Sequence, residues 1–311
     1  MFSDKTFSRH GRQIYLQKRI RTITASLVII GAIIASIFII FRVKNGISNV
    51  KQELLHIWNE GNYEKAYEIS KNALNKNPVD YYLLTTHGFS AYQLGVSQIN
   101  RQNTLLYIDE CIFSLRKALL HKEASGDGRI FYVLGKAYGY KGTEYSDLAV
   151  KYLEIAGRIY DAKDIPEYLG LAYAASGDYR NSVVSFSRAF NSDKPPSDSL
   201  LLSIARSYIA MDEYGMAAGY LKRCIEISPD SKSVIIARFL LAEIFRLTDD
   251  YNSAEEQYLY ILKDSGENAE VHYQLGELYS MKGDTTRARA EWRLAYRQDP
   301  THAKTRARLN I

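Results

Sequence analysis

The stretch LGLAYAASGDYRNSVVSFSRA, residues 169–189, decides the fold of this 311-residue chain. Small Gly170 stands early in it, a turn signal follows at Gly177, and bulky Phe186 comes sixteen residues after Gly170. The same residue classes return at 275–295, LGELYSMKGDTTRARAEWRLA. A recurring unit of this kind predicts two antiparallel helices joined by a short turn, stacked on neighbours of the same type.

Weaker copies of this unit fill the chain between residues 47 and 302 at a nearly constant step. The polar stretch GVSQINRQNT at 95–104 lengthens one copy, and we expect it to form a longer hairpin loop. Residues 303–311 predict a short capping segment, because the end of a helical stack needs a polar cover. The predicted repeats are 47–80, 81–127, 128–162, 163–197, 198–234, 235–268 and 269–302.

The repeats resemble the tetratricopeptide repeat (TPR) family over residues 47 to about 302. The resemblance implies an all-α, right-handed superhelical solenoid of about seven helix-turn-helix repeats. It also implies buried tyrosines in the first helices of the repeats, at Tyr138, Tyr173, Tyr208 and Tyr279.

In that family the first helices line a concave groove that captures a peptide or a helix of a partner protein. Tyrosine and arginine dominate binding hot spots, and both types recur at the lining positions here. The partner-binding residues implied by the resemblance are Tyr82, Phe89, Tyr92, Arg129, Tyr132, Lys136, Tyr140, Tyr168, Arg206, Glu243, Arg246, Tyr273 and Glu277.

Residues 23–41, ITASLVIIGAIIASIFIIF, contain no charged side chain. At about 1.5 Å per residue they span roughly 28 Å, close to the ~30 Å hydrocarbon core of a bilayer. A secretory signal has a shorter apolar region and a small-residue cleavage site, which this chain lacks after Phe41. The sequence therefore predicts one uncleaved transmembrane helix, followed by a linker at 42–46.

Cations flank this apolar run unequally, with six Lys or Arg against Asp4 alone in the tail 1–22. The more basic flank stays in the cytoplasm, so the tail is expected inside and the repeats in the periplasm or another extracytoplasmic space. This predicts a single-pass protein of the inner membrane. The alternative is a TPR targeting receptor that faces the cytosol from an organelle membrane.

The net charge of +5 comes from the N-terminal segment, since residues 1–46 hold eight Lys or Arg and one Asp. The basic balance therefore reports membrane topology, and no nucleic-acid partner is predicted. The histidines show no metal-ligand spacing, and no phosphate-binding or nucleophile motif is found. Cys111 and Cys224 fall in different repeats and are expected to be free core thiols.

These features predict a membrane-tethered scaffold or adaptor that mediates protein–protein interactions in a cell-envelope complex. A secretion- or chaperone-associated role and a role like that of a flagellar-motor collar both fit the pattern. No enzyme activity and no cofactor are predicted.

Overall fold

The computed structural model describes residues 48–190 and 196–311, and every regular element in these ranges is helical. Short 3-10 turns at Lys122–Gly126 and Thr143–Tyr145 join some of the helices. The helices are α1 (48–59), α2 (Tyr63–Leu74), α3 (Tyr81–Ser97), α4 (Arg101–Ala118), α5 (Gly128–Lys141), α6 (Ser146–Ile159), α7 (Ile165–Ala175), α8 (Tyr179–Ala189), α9 (Asp198–Ala210), α10 (Tyr214–Ile227), α11 (Ser231–Leu247), α12 (Tyr251–Ser265), α13 (Ala269–Met281), α14 (Thr285–Gln298) and α15 (Ala303–Leu309).

The predicted all-helical fold is confirmed, and consecutive helices pack as pairs, from α3 with α4 to α13 with α14. Helices α1 and α2 share a core through Leu54 and Ala66. The first helix of a pair starts at Tyr81, Gly128, Asp198 and Ala269, which are the predicted repeat starts. Helix α11 starts at Ser231, earlier than the predicted 235, because the Asp230 side chain accepts hydrogen bonds from the backbone N–H groups of the first turn.

The chain divides into two compact units, Met1–Lys122 and Glu123–Ile311. In its described part, the first unit holds α1–α4, and the second holds α5–α15. The core of the first unit includes Leu54, Ala66 and Leu83, contributed by three successive helices. In the second unit, α15 packs on α14.

Within a pair, a glycine of the first helix lies directly against a large side chain of the second. A Cβ built on Gly170 would lie 2.5 Å from Cδ1 of the buried Phe186, and one on Gly135 would lie 2.5 Å from Cγ of Leu153. These distances are far below van der Waals contact, so only a residue without a side chain permits this backbone approach. The same contact occurs between Gly88 and Leu115 and between Gly276 and Trp292.

The turn between paired helices often consists of a residue with positive φ followed by a helix-capping residue. Gly177 has φ 82°, and the side chain of Asp178 then accepts the backbone N–H of Asn181. In the sixth repeat Asp249 takes the same conformation, with φ 59°, and Asp250 caps α12. Aspartate tolerates the left-handed region better than most residues, so this turn forms without glycine.

The expectation of a long loop at 95–104 is wrong. Helix α3 continues to Ser97 and α4 begins at Arg101, so three residues connect them. Asn100 caps α4 through the backbone N–H groups of Gln102 and Asn103. The polar composition of this stretch reflects solvent-facing helix ends, and the extra residues lengthen both helices, to 17 and 18 residues.

The first-helix tyrosines differ in burial. Tyr138 and Tyr279 are buried as expected, whereas Tyr173 and Tyr208 are half-buried, so the expectation of full burial is wrong for these two. The Tyr173 hydroxyl donates to Glu154 of the preceding repeat at 2.6 Å, and this bond with burial raises its pKa to about 12. A polar partner on the neighbouring repeat holds this ring at the surface.

A buried histidine joins three helices of the first unit. His87 of α3 has Nδ1 3.2 Å from Ser70 Oγ of α2 and Nε2 3.3 Å from Glu110 Oε2 of α4. The Tyr67 ring stacks on the imidazole at 4.7 Å, and its hydroxyl donates to the Glu110 carboxylate. Burial lowers the pKa of His87, although Glu110 acts in the opposite direction.

None of the described helices combines the length and the hydropathy that a membrane span requires. The predicted transmembrane helix at 23–41, with its flanks at 1–22 and 42–46, lies outside the described residues.

The helix-pair contact predicts opposite effects of alanine at two glycines. Gly170→Ala should destabilise the protein by about 1–3 kcal/mol, because its Cβ would push against Phe186 in a packed core. Gly139→Ala in α5 should be neutral or stabilising by up to about 1 kcal/mol, because its Cβ meets no atom within 4 Å and alanine favours the helix. Urea unfolding followed by circular dichroism measures both, and equal midpoints would contradict the close-contact account.

The burial of His87 predicts that acid destabilises the first unit. The unfolded chain gives this histidine its ordinary pKa of about 6.5, whereas burial lowers the pKa in the folded state. Below about pH 6.5 the unfolded state therefore binds more protons, and stability falls as the pH drops. The melting temperature of the wild type should fall more steeply between about pH 7.5 and pH 5 than that of His87→Gln. Parallel curves for the two proteins would remove His87 as the cause.

Candidate functional site

An open cavity of about 340 Å³ lies between the first helices α5 and α7, with the second helix α6 behind it. Small side chains form most of its walls, because the paired helices already approach closely at Gly135. The lining residues are Gly135, Lys136, Gly139, Tyr140, Gly142, Thr143, Ser146, Ala149, Leu153, Tyr168, Leu171, Ala172 and Ala175.

The cavity is suited to an apolar side chain of a partner. Gly139 leaves empty space where other residues would place a Cβ. At the rim, Tyr140 is 37% exposed and Leu171 is 43% exposed, so two large apolar surfaces flank the opening. An apolar recess with exposed aromatic and aliphatic edges is the usual receptor of an interface anchor residue.

A lysine framed by two tyrosine rings borders the cavity. The Lys136 ammonium lies 4.0 Å from the centroid of the Tyr168 ring and 4.7 Å from that of Tyr132. It donates to the Tyr132 hydroxyl at 2.8 Å and lies 3.4 Å from a carboxylate oxygen of Asp164, just before α7. This cluster therefore ties α5 to the start of α7.

The same cluster raises the pKa of Tyr132. The Tyr132 hydroxyl donates to Asp164 at 2.6 Å, and burial together with this bond raises the pKa of Tyr132 to about 12. The phenol therefore stays neutral and acts as a donor at physiological pH. The Lys136 side chain is only 11% exposed, so its charge is held within the cluster and the rings shape the rim.

The remaining predicted groove residues of the second unit do not join this cavity. Arg129 pairs with Asp127, the capping residue of α5, and exposed Arg206 lies on α9. On α11, the predicted residues Glu243 and Arg246 pair with each other at 2.8 Å.

Helix α15 contacts the last two predicted positions. Tyr273 is buried, and the ammonium of Lys304 lies 5.8 Å from its ring centroid. The Glu277 carboxylate accepts a hydrogen bond from the guanidinium of Arg308. The expectation that Tyr273 lines an open surface is therefore wrong, because His302 and Lys304, just before and in α15, lie against its ring.

In the first unit the predicted residues are mostly engaged in packing. The Tyr82 hydroxyl donates to the carbonyl oxygen of Lys51 at 3.3 Å, and the Phe89 ring lies 6.4 Å from Trp58. Tyr92 is buried, at 6% exposure, so the expectation of an open position is wrong for this residue too.

The predicted residues Lys136, Tyr140 and Tyr168 line this cavity, and so do Gly139 and Leu171, which were not predicted. In the sequence, the feature that could have indicated this cavity is the spacing of Gly135, Gly139 and Gly142 in and just after α5. The first of these is needed for helix packing, whereas nothing in the core requires the second.

No group of three or more metal-ligating side chains comes together in the ranges that the structure describes. Cys111 and Cys224 are buried and free, as expected, and burial raises the pKa of both thiols. These thiols are poor nucleophiles in the folded protein.

The tetratricopeptide repeat family model matches residues 200–234, which contain most of α9 and α10. No curated protein matches the sequence.

Several solved structures share the fold. The C-terminal part of a TPR repeat-containing protein from Cytophaga hutchinsonii is 16% identical with a TM-score of 0.61, covering 84% of this chain and all of the other. PilW, a type IV pilus biogenesis factor, is 17% identical with a TM-score of 0.56, covering 71% and 98%. Pseudomonas aeruginosa PilF is 15% identical with a TM-score of 0.52, covering 72% and 96%. At these identities the likeness shows the fold alone, and the tetratricopeptide repeat match holds for residues 200–234.

Proposed function

We propose that this protein is a scaffold that binds another protein through the α5–α7 cavity. The observation that carries the proposal is the open apolar recess of about 340 Å³ with Tyr140, Tyr168 and Leu171 at its edge. Helix packing does not require this space, because Gly139 borders it without touching a neighbour. An anchor side chain of a partner peptide or helix would fill it.

The cluster of Lys136, Tyr132 and Asp164 prepares the recess for binding. Its contacts hold α5 against α7 before any partner arrives, so binding costs little ordering of the walls. Tyrosine has few rotatable bonds and both apolar and polar edges, which suits it to contact a partner at low entropic cost. The proposed ligand is therefore an aliphatic or aromatic anchor that stacks beside Tyr140 and Tyr168.

We also propose that residues 23–41 tether this scaffold to a membrane, with the repeats outside the cytoplasm, where they serve a cell-envelope complex. The uncharged run and the basic tail 1–22 support this topology. PilW, whose fold is similar, is a type IV pilus biogenesis factor, which is compatible with a role in envelope assembly.

Filling the cavity should abolish partner capture without unfolding the protein. Gly139→Leu places a side chain in the empty recess, whereas Gly219→Leu adds the same side chain at an open surface of α10. Loss of a hot-spot contact costs roughly 2 kcal/mol, or about thirty-fold in affinity. Crosslinking in cells followed by mass spectrometry should lose partners from Gly139→Leu and retain them in Gly219→Leu. Equal recovery from both variants would contradict the assigned site.

The topology is tested by protease added to spheroplasts that express the full chain. The repeats should be digested and the tail 1–22 protected, because the more basic flank stays inside. Digestion of the tail with survival of the repeats would reverse the orientation, as the alternative cytosol-facing receptor requires. A cytoplasmic protein of the same cells serves as the control for membrane integrity.

A further inference from the structure

The outer face of α4 carries a row of exposed apolar side chains that the first unit does not use. Leu106 is 62% exposed, Phe113 69% and Leu120, two residues beyond the helix end, 84%. Their spacing of seven residues keeps them on one side of the helix. The core side chains Ile108, Cys111, Ile112 and Leu115 occupy the opposite side.

The charged residues beside this row are acidic before Phe113 and basic after it. Asp109 and Glu110 stand four and three residues before it, and Arg116 and Lys117 stand three and four residues after it. Along the helix, Asp109 and Arg116 share one flank of the row, while Glu110 and Lys117 share the other. Leu106 and Leu120 are placed symmetrically, one heptad before and one after Phe113.

We propose that α4 pairs antiparallel with α4 of a second copy of this chain, about a two-fold axis at Phe113. Such an axis brings Phe113 against its own counterpart and Leu106 against the partner copy's leucine at position 120. On one flank it sets Asp109 of each copy opposite Arg116 of the other, whereas the Glu110 carboxylate on the other flank is held within the first unit by Tyr67 and Lys71. A two-fold interface must be self-complementary in this way.

The pattern favours a second copy over an unrelated helix. An unrelated helix would need an acidic and a basic residue at matching distances from an apolar centre, whereas α4 supplies them by symmetry through Asp109 and Arg116. An apolar seam flanked by charges of alternating sign is also the arrangement of paired helices. Phe113 borders a depression of about 500 Å³ on the first unit, which leaves room for the second ring.

Cysteine crosslinking of the full chain in cells tests this proposal. A residue on the two-fold axis lies opposite itself, so Phe113→Cys should give a chain of doubled mass with a short bis-maleimide. The native Cys111 and Cys224 are fully buried, so the wild type should give none. Val184→Cys, on the exposed surface of α8, is the matched control and should also stay monomeric. Absence of the Phe113→Cys dimer, or equal dimer from Val184→Cys, would overturn the proposal.

Charge reversal then separates antiparallel self-pairing from chance proximity. In the Phe113→Cys background, Arg116→Asp alone and Asp109→Arg alone should each weaken the crosslink about ten-fold, because two interface pairs become like-charged. The double variant Asp109→Arg/Arg116→Asp restores opposite charges only across the two-fold axis and should recover the crosslink. A double variant as weak as the single ones would overturn the pairing.

Discussion

The close contact between a glycine of the first helix and a large side chain of the second is the constraint on which this fold depends. Gly170 against Phe186 shows it most clearly, and the larger side chain is fully buried. At Ala205 and Ala242 of later pairs the small position is also buried, in the same cores as Leu221 and Tyr258. Because the backbones approach so closely, a pair needs few side chains to fill its interior. Tyrosines of the first helices, such as Tyr173 and Tyr279, then contact the preceding pair.

Polar contacts set how neighbouring pairs meet. Tyr173 donates to Glu154 and Tyr279 donates to Glu255, each reaching from a first helix to the second helix of the preceding repeat.

The close approach of paired helices also explains the candidate site. Where α5 and α7 meet, the small residues needed for close packing continue beyond the contact, so a recess remains. Its lysine cluster is satisfied internally, and the open part of the recess is apolar.

The helix order and the packing register could be read from the sequence because small, large and turn residues recur with little variation. The loop expected at 95–104 was wrong because polarity does not distinguish a loop from a solvated helix end when no proline interrupts it. Burial of Tyr92 and Tyr273 was missed because their surroundings depend on side chains of neighbouring helices. The cavity at Gly139 was missed for a related reason, since an empty space is a property of several helices together.

The buried face and the outer face of a second helix are under different constraints. A second helix buries one side against its pair and leaves its outer side to solvent, as α14 does with exposed Arg289, Arg293 and Arg297. A single exposed apolar residue, such as Val184 on α8, is common on such a surface. Three exposed apolar side chains in one row, two on α4 and Leu120 just beyond it, keep hydrocarbon in water at a cost that no packing within the first unit offsets. A partner surface relieves that cost, and the charge order around Phe113 selects one with the same sequence.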